Sequence, residues 1–484
     1  MKLKRIMSIT LAAAMLAGVG CNNQTEYIRM TPEDSYAYES DVLGEGVLPV
    51  VSFCSPSAGN AGLANTITDE VLKLTKEGGV NVIMGHDVGA LSEEEKQLAE
   101  LCAKYDIGYM PSTNEQGYWR INAERNGFVT YDDLTEEEKA ATDENFRNLL
   151  TELAKYENFF GIRFTDEDGY RQFSSAGAAK KVFDEVCSDK VFSHNLISSM
   201  GNSQMLDYGY SHAYMPETVP ISAEILTGGY QFYLEKEAEI VNPTFMSYDG
   251  YPFTFQSDVL GSLHANQKQI NDVARKYEKS TWGYLQAFGG EPNDLGEASR
   301  IPNYNEIEYQ IGVMLGMGAK GLVLYTYFST PVYSNSQVEY EIPIDENGNP
   351  SQMYYDFKKA FENMRGYQHI LMDSVTKNVV LGGNTDEIAQ RPPEEMVVDT
   401  FNELTGVESR ETGVVVYCMN YQGKTALFVQ NASIEEGAVA DITLSFSRNV
   451  EVAVYRDGGE TAKEGKYINL YDVPSGQAIM VVVG

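Results

Sequence analysis

Residues 159–170 read FFGIRFTDEDGY: an apolar, strand-like run that passes straight into three adjacent carboxylates, Asp166, Glu167 and Asp168. Closely spaced acids repel one another, and burying any of them is costly unless it is paired. A solvated turn would account for them. So would a site for acid–base chemistry, in which neighbouring negative charges keep one carboxyl protonated near neutral pH. As metal ligands they lack the alternating donors and the glycine of a calcium loop.

Other reactive side chains stand at the ends of similar apolar runs. VNVIMGH is followed by Asp87 and ends in His86; VFSHNLIS carries His194 and Asn195; TFMSYDGYPF carries Tyr248, Asp249 and Tyr251. TWGYLQAFG presents Trp282, Tyr284 and Gln286, with Glu291 in the loop beyond, and GLVLYTYF presents Tyr325 and Tyr327. Carboxylates, amides and aromatic rings together suit acetal cleavage. One protonated carboxyl protonates the leaving oxygen, and a second carboxylate attacks the anomeric carbon or activates water. Aromatic faces stack on the apolar side of a sugar ring. No pair of histidines at helical spacing and no glycine-rich phosphate loop occurs, so no metal or other cofactor is expected.

Elements that repeat along the chain must position these groups. Apolar, β-branched runs alternate with segments of helical spacing from about residue 47 to 371, in eight strand–helix pairs. Ser92 and Thr135 stand where helix N-caps belong, each ahead of a cluster of glutamates. Continuous apolar strands alternating with amphipathic helices imply a parallel sheet covered on its outer face, and eight pairs imply an α/β fold of the (β/α)8 TIM-barrel type. Such barrels place their active sites at the C-terminal ends of the strands, where the residues above fall. The sixth pair follows a tyrosine-rich, irregular stretch at about 200–228.

The texture changes after about residue 373. Strand-like runs separated by turn dipeptides, without helical period, imply a C-terminal all-β sandwich, and VVYCMNYQGKTALFVQN reads as a hairpin turning at Gln422-Gly423. At the other end, Lys2, Lys4 and Arg5 precede a short apolar stretch that closes on GVGC. This resembles a bacterial lipoprotein signal with Cys21 as the lipidated residue, although Gly18 replaces the usual leucine, and it implies export and a lipid anchor in a bacterial membrane. The expected organisation is a signal over 1–21, a polar tether over 22–44, a barrel over 45–372 and a sandwich over 373–484. Cys54, Cys102, Cys187 and Cys418 are scattered and suggest neither a zinc site nor a disulfide framework. A net charge of −34 excludes nucleic acid as a partner and disfavours polyanionic substrates. The 32 tyrosines fit an amphipathic ligand such as a sugar, although most must simply pack.

Four of these stretches together, NFFGIRFTDEDGY, PTFMSYDGYPF, WGYLQAFG and EIEYQIGVMLGMGAKGLVLYTYF, resemble clan A glycoside hydrolases, nearest to family 42-like β-galactosidase relatives. The resemblance spans roughly residues 48–370, and MGAKGLVLYTY is its most specific part. It implies a glycosidase with Glu167 as general acid/base. It also exposes departures. Asp168 stands where proline is usual, Thr165-Asp166 where an asparagine usually precedes the glutamate, and Gln286 where the nucleophilic glutamate of strand 7 belongs. An amide cannot serve as that nucleophile, so the second carboxylate is Asp249 or Glu291; Asp249 would fit a wider separation and an inverting reaction. His86, Asp166, Asn195, Tyr248, Trp282, Tyr284, Gln286, Tyr325 and Tyr327 are expected to contact the substrate, a neutral oligo- or polysaccharide. The rival expectations are a glycan-binding lipoprotein that has lost its nucleophile and a different barrel chemistry such as a lyase.

Overall fold

A computed structural model describes residues 35–59, 63–113, 117–122, 127–209, 220–255, 263–290, 299–330 and 340–484. Cys21 and Glu291 therefore lie outside the described residues. Eight strands, β1 (Val50–Ser52), β2 (Val82–Asp87), β3 (Gly108–Ser112), β4 (Gly161–Asp166), β5 (Val191–Leu196), β6 (Phe245–Tyr248), β7 (Ser280–Gln286) and β8 (Leu322–Tyr325), pair in parallel and in chain order, and β8 returns to β1 to close a barrel. Each is followed by a helix: α1 (Asp69–Glu77), α2 (Glu93–Lys104), α3 (Glu136–Leu153), α4 (Phe173–Cys187), α5 (Ala223–Lys236), α6 (Leu263–Lys276), α7 (Tyr304–Gly316) and α8 (Gln352–Arg365).

The helices begin where the sequence supplies acceptors. The Ser92 hydroxyl accepts from the Glu95 N–H, and Thr135 forms a reciprocal capping box with Glu138, so donors that the first turn leaves open are satisfied. The helix of the fifth pair differs most from expectation. It starts at Ala223 rather than near residue 230, kinks at Gly229, and runs on as a π-turn over Glu237–Val241. The irregular stretch thus carries the first part of α5.

Alternation along the strands sorts side chains between two apolar cores. Val51, Val82, Met84, Met110, Phe160, Val191, Phe245, Trp282, Tyr284 and Val323 fill the barrel interior. Val50, Ile83, Ile162, Phe192, Met246, Leu285 and Leu322 point the other way, under the helices. Trp282 stacks on Phe245 with ring centroids 3.7 Å apart and planes 6° from parallel. It needs Gly321 beside it, because a Cβ there would lie 2.5 Å from the indole. Burying two large rings face to face in the lower barrel is a substantial apolar contribution. It also puts Trp282 out of reach of any ligand at the strand ends.

The segment read as a tether behaves differently where it is described. Tyr38 packs edge-on against Phe160, its hydroxyl donates to the Asp189 carbonyl at 2.7 Å, and Val42 and Leu43 pack on the interior core. Phe160 and Asp189 precede β4 and β5, so this segment closes the barrel at the strand starts.

After Asp373 the chain forms one antiparallel sheet of seven strands: β9 (Ser374–Gly383), β10 (Leu404–Ser409), β11 (Gly413–Tyr421), β12 (Lys424–Asn431), β13 (Val439–Arg456), β14 (Gly459–Pro474) and β15 (Ala478–Val483). The long β13 pairs with β10 through its first half and with β15 through its second, which folds the sheet into two layers around a separate apolar core. The β11–β12 hairpin turns at Gln422 and Gly423, both at positive φ, as a two-residue turn of this kind requires. The sheet domain packs firmly on the barrel. Gly312 and Gly316 of α7 face Gln430 and Tyr417, Gln430 donates to the Tyr309 carbonyl at 3.0 Å, and His264 meets the Tyr417 hydroxyl at 2.8 Å.

Candidate active site

The strand ends of β4, β5 and β6 bring three carboxylates together over one amide. The Asn195 side-chain N–H group of β5 donates to Asp166 Oδ1 at 3.0 Å and to Asp249 Oδ1, and Asn195 Oδ1 accepts from the Ser247 hydroxyl at 2.9 Å. Asn195 is fully buried beneath the acids. It orients carboxylates instead of meeting a substrate, which corrects its expected role. The Tyr251 hydroxyl donates to Asp249 Oδ2 at 2.9 Å, so both oxygens of Asp249 are engaged.

Asp166 is tied on its other side to Arg163, at 3.1 Å. The guanidinium also reaches Ser112 at 2.9 Å and Asp87 at 3.3 Å, and lies 4.6 Å above the Phe53 ring. An arginine inside a strand of otherwise apolar residues must be paired to be buried. That lone cation in FFGIRFT is the signal by which sequence reasoning could have found it.

Glu167 is held by its backbone. Its N–H donates to the Asn195 carbonyl at 3.0 Å, and its φ of 52° is left-handed, a conformation that costs a non-glycine residue energy and marks sites where geometry is imposed. The carboxyl makes no side-chain hydrogen bond among the described residues. Burial, followed by the charges of Asp249 and Asp166, pushes it well above the usual carboxylate range. Burial, followed by Asp166, also pushes Asp249 up, while hydrogen bonds from Asn195 and Tyr251 pull it back. Two crowded carboxyls of this kind titrate as a pair and hold one proton between them over a range of pH.

Asp168, the third acid of the triplet, faces away. It is buried, accepts from the Thr165 hydroxyl at 2.7 Å and meets His194 Nε2 at 3.2 Å, while the other imidazole nitrogen meets Glu237 at 3.3 Å. Burial alone would lower the His194 pKa, but the two carboxylates raise it to about 9. An imidazolium clamped between two acids thus backs the loop that carries Glu167.

Aromatic rings stand beside Asp249. Tyr251 stacks on Tyr325 at 5.3 Å, and Phe288 and Phe53 meet Tyr325 edge-on at 5.5 and 5.1 Å. The buried Tyr284 hydroxyl lies among the charges of Asp249, Asp166, Arg163 and Glu167 and has no hydrogen-bond partner among the described residues. A cleft of about 210 Å³ opens on the β1, β2 and β8 side, lined by Phe53, His86, Asp87, Arg163 and Ser329 among others. His86 gives Nδ1 to the buried Glu95, leaving its other nitrogen for the cleft.

Four expected contacts fall elsewhere. Tyr248 is buried under the helices and donates to the Leu263 carbonyl at 3.4 Å, because the inward positions of β6 are Phe245 and Ser247. Trp282 fills the lower barrel. Tyr327 lies beyond the last paired residue of β8 and packs outward against Gly78 and Tyr354, so the shared strand face expected for Tyr325 and Tyr327 does not exist. Gln286 is fully buried; its amide N–H group is shared among the carbonyls of Phe253, Phe288 and Arg300 at 3.0–3.2 Å, and its Oε1 accepts from the Phe253 N–H at 2.8 Å. It ties three loop segments together and touches no open site. Among the described residues no group of three His, Cys, Asp or Glu side chains is placed to hold a metal ion.

No family model and no curated protein sequence matches the chain. Solved structures similar to it include an α-amylase from Geobacillus thermoleovorans, with 10% identity, 94% of this chain and 99% of that chain covered and a TM-score of 0.49. A β-galactosidase from Marinomonas ef1 has 8% identity, 69% and 63% coverage and a TM-score of 0.46. A glucosidase from Croceicoccus marinus has 7% identity, 91% and 96% coverage and a TM-score of 0.42. Likenesses at this level say nothing about which reaction this chain performs.

Proposed function

We propose that the protein is a glycoside hydrolase acting on neutral glycans, with Glu167 as proton donor and Asp249 as its ionised partner. One observation carries the reading: Glu167 and Asp249 are buried within each other's field, and among the described residues side-chain hydrogen-bond donors reach only Asp249. Donors favour the charged form, so the negative charge settles on Asp249 and the proton on Glu167. That division is what acetal cleavage needs. The Asp166 carboxylate, held in place by Arg163, adds to the field that keeps Glu167 protonated. Tyr325 and Tyr251 offer ring faces to a sugar, and the His86 nitrogen that faces the cleft offers it a hydrogen bond. The signal-like first 21 residues and Cys21 support an exported, lipid-anchored chain.

The test is hydrolysis of a panel of aryl glycosides by the chain from Cys21 onward, beside Asp249→Asn. The substitution should lower kcat by at least a hundredfold, on the scale expected of a removed catalytic carboxylate. The anomer released first, read by NMR, separates direct attack by Asp249 from activation of water. The second reading is a chain that binds glycans without cleaving them, since the resemblance expects a carboxylate where this chain has Gln286 and the structure commits that amide to its loops. Binding without turnover anywhere in the panel would establish that reading instead.

Tyr251→Phe gives a finer check. Its hydroxyl stabilises ionised Asp249, so its loss should move the acid limb of the kcat profile to higher pH by roughly one unit, the size of a hydrogen bond to a charged group. An unmoved limb would show that Asp249 is not the group whose ionisation is being read.

A further inference from the structure

The β13–β14 hairpin turns one face away from the core of the sheet domain, and two large rings on it lie open. Tyr467 is 62% and Tyr471 57% exposed, while Ile468 and Leu470 between them point inward and are buried. Single exposed apolar residues are ordinary. Two aligned rings on one face of one strand are less so. Residues four apart on a strand stand roughly 13 Å from each other.

The ground between the rings is open and polar. Asn469 lies between them and accepts from the Thr443 hydroxyl of the neighbouring strand at 2.9 Å, which leaves its N–H group for a ligand. Ser445 sits opposite Tyr467, and Gly406 of β10 sits opposite Ser445. A Cβ at 406 would meet nothing closer than Ser445 Cβ at 3.8 Å, so the floor beside Tyr467 is low. The sheet domain is fixed to the barrel through α7, so this face is presented in a constant position.

We propose that this face is a second glycan-binding site, which takes an extended neutral saccharide across Tyr467 and Tyr471. The proposal rests on the glycan reading of the barrel. Flat rings receive the apolar side of sugar rings, and an amide and hydroxyls between them meet hydroxyl groups. Charge selects against other occupants. The chain carries −34, and Glu408, cross-strand from Thr443, lies open on the same face. An anionic polymer, an acidic membrane surface or a second copy of this chain would each meet like charge.

The test uses the full chain carrying Glu167→Gln, so that polymer is not consumed, in affinity electrophoresis through gels containing a soluble galactan, xylan, mannan or mixed-linkage glucan. One of these should retard the protein. Adding Tyr467→Ala and Tyr471→Ala should weaken that retardation at least tenfold, and Tyr467→Phe, which keeps the ring, should preserve it. Retardation that survives the double alanine substitution overturns the proposal, as does the absence of retardation by all four polymers. A change of sedimentation behaviour in the double variant, without a change in retardation, would make the face a contact between copies and would also overturn it. Turnover by the wild-type chain is scored separately. Tyrosine-dependent retardation without turnover upholds this site and sinks the catalytic reading; turnover with tyrosine-independent retardation does the reverse.

Discussion

Glu167→Gln should lower kcat by roughly 10²–10⁴-fold on glycosides whose leaving group needs protonation, and much less on aryl glycosides whose leaving group departs as an anion. Glutamine keeps the size and polarity of the side chain and the left-handed backbone at 167. What it removes is the proton. The dependence on leaving group therefore separates loss of an acid from general damage to the site. The pH profile gives an independent reading. On the proposed assignment the active form has one proton on the Glu167–Asp249 pair. Activity should fall at low pH as the pair takes its second proton, and at high pH as Glu167 loses its own. Both carboxyls are pushed up, by burial first and by neighbouring carboxylate charge second, so the bell should be centred above the ordinary carboxylate range. In Glu167→Gln the alkaline limb should vanish on activated substrates. An alkaline limb unchanged by the substitution would assign the proton to another group.

The second large effect is expected far from any substrate. His194→Leu should destabilise the fold by about 3–5 kcal/mol, because it leaves Asp168 and Glu237 buried without their shared cation. The groups facing this imidazole are Asp168 from the β4 exit and Glu237 after α5, with the Phe173 ring of α4 edge-on. Lys279, ahead of β7, acts on Glu237 from behind. The pH dependence follows from the sign of the shift. The folded-state value of His194 is raised from 6.5 to about 9. Its contribution is thus complete below the unfolded value and lost as pH rises through the folded one. Wild-type stability in urea should drop between pH 7 and pH 10, and His194→Leu should lack that component of the drop. Equal stabilities of the two proteins at pH 6 would show that the clamp contributes nothing. Asp168 also receives the Tyr233 hydroxyl on its backbone carbonyl at 2.6 Å, so loosening this cluster should loosen the neighbouring Glu167 as well.

Much of this arrangement was legible in the sequence, for physical reasons. Parallel strands buried on both faces are apolar throughout, so polar groups at their ends stand out; Glu167 and Asp249 were visible for that reason. The same property hid which way each strand-end residue turns. Tyr248 and Asp249 are adjacent, and nothing apolar or polar along FMSY distinguishes inward from outward. Only the pairing register, which turns Ser247 inward, decides it. Tyr327 was misplaced because alternation holds only while the strand lasts, and β8 ends at Tyr325. Asp168 could not be told from its two neighbours, since its partner His194 is 26 residues away and Glu237 lies further on. Gln286 looked like a lost nucleophile. Its four hydrogen bonds show a residue committed to holding loops, a task in which an acceptor-only carboxylate would face three carbonyl oxygens.

The segment around Tyr38 that seals the strand starts also fixes an orientation. The chain enters its barrel at one pole, and the acids open at the other. An attachment through residues ahead of Ser35, as an anchor at Cys21 would be, would therefore join the barrel at the pole opposite its mouth and leave the acids unobstructed by the point of attachment.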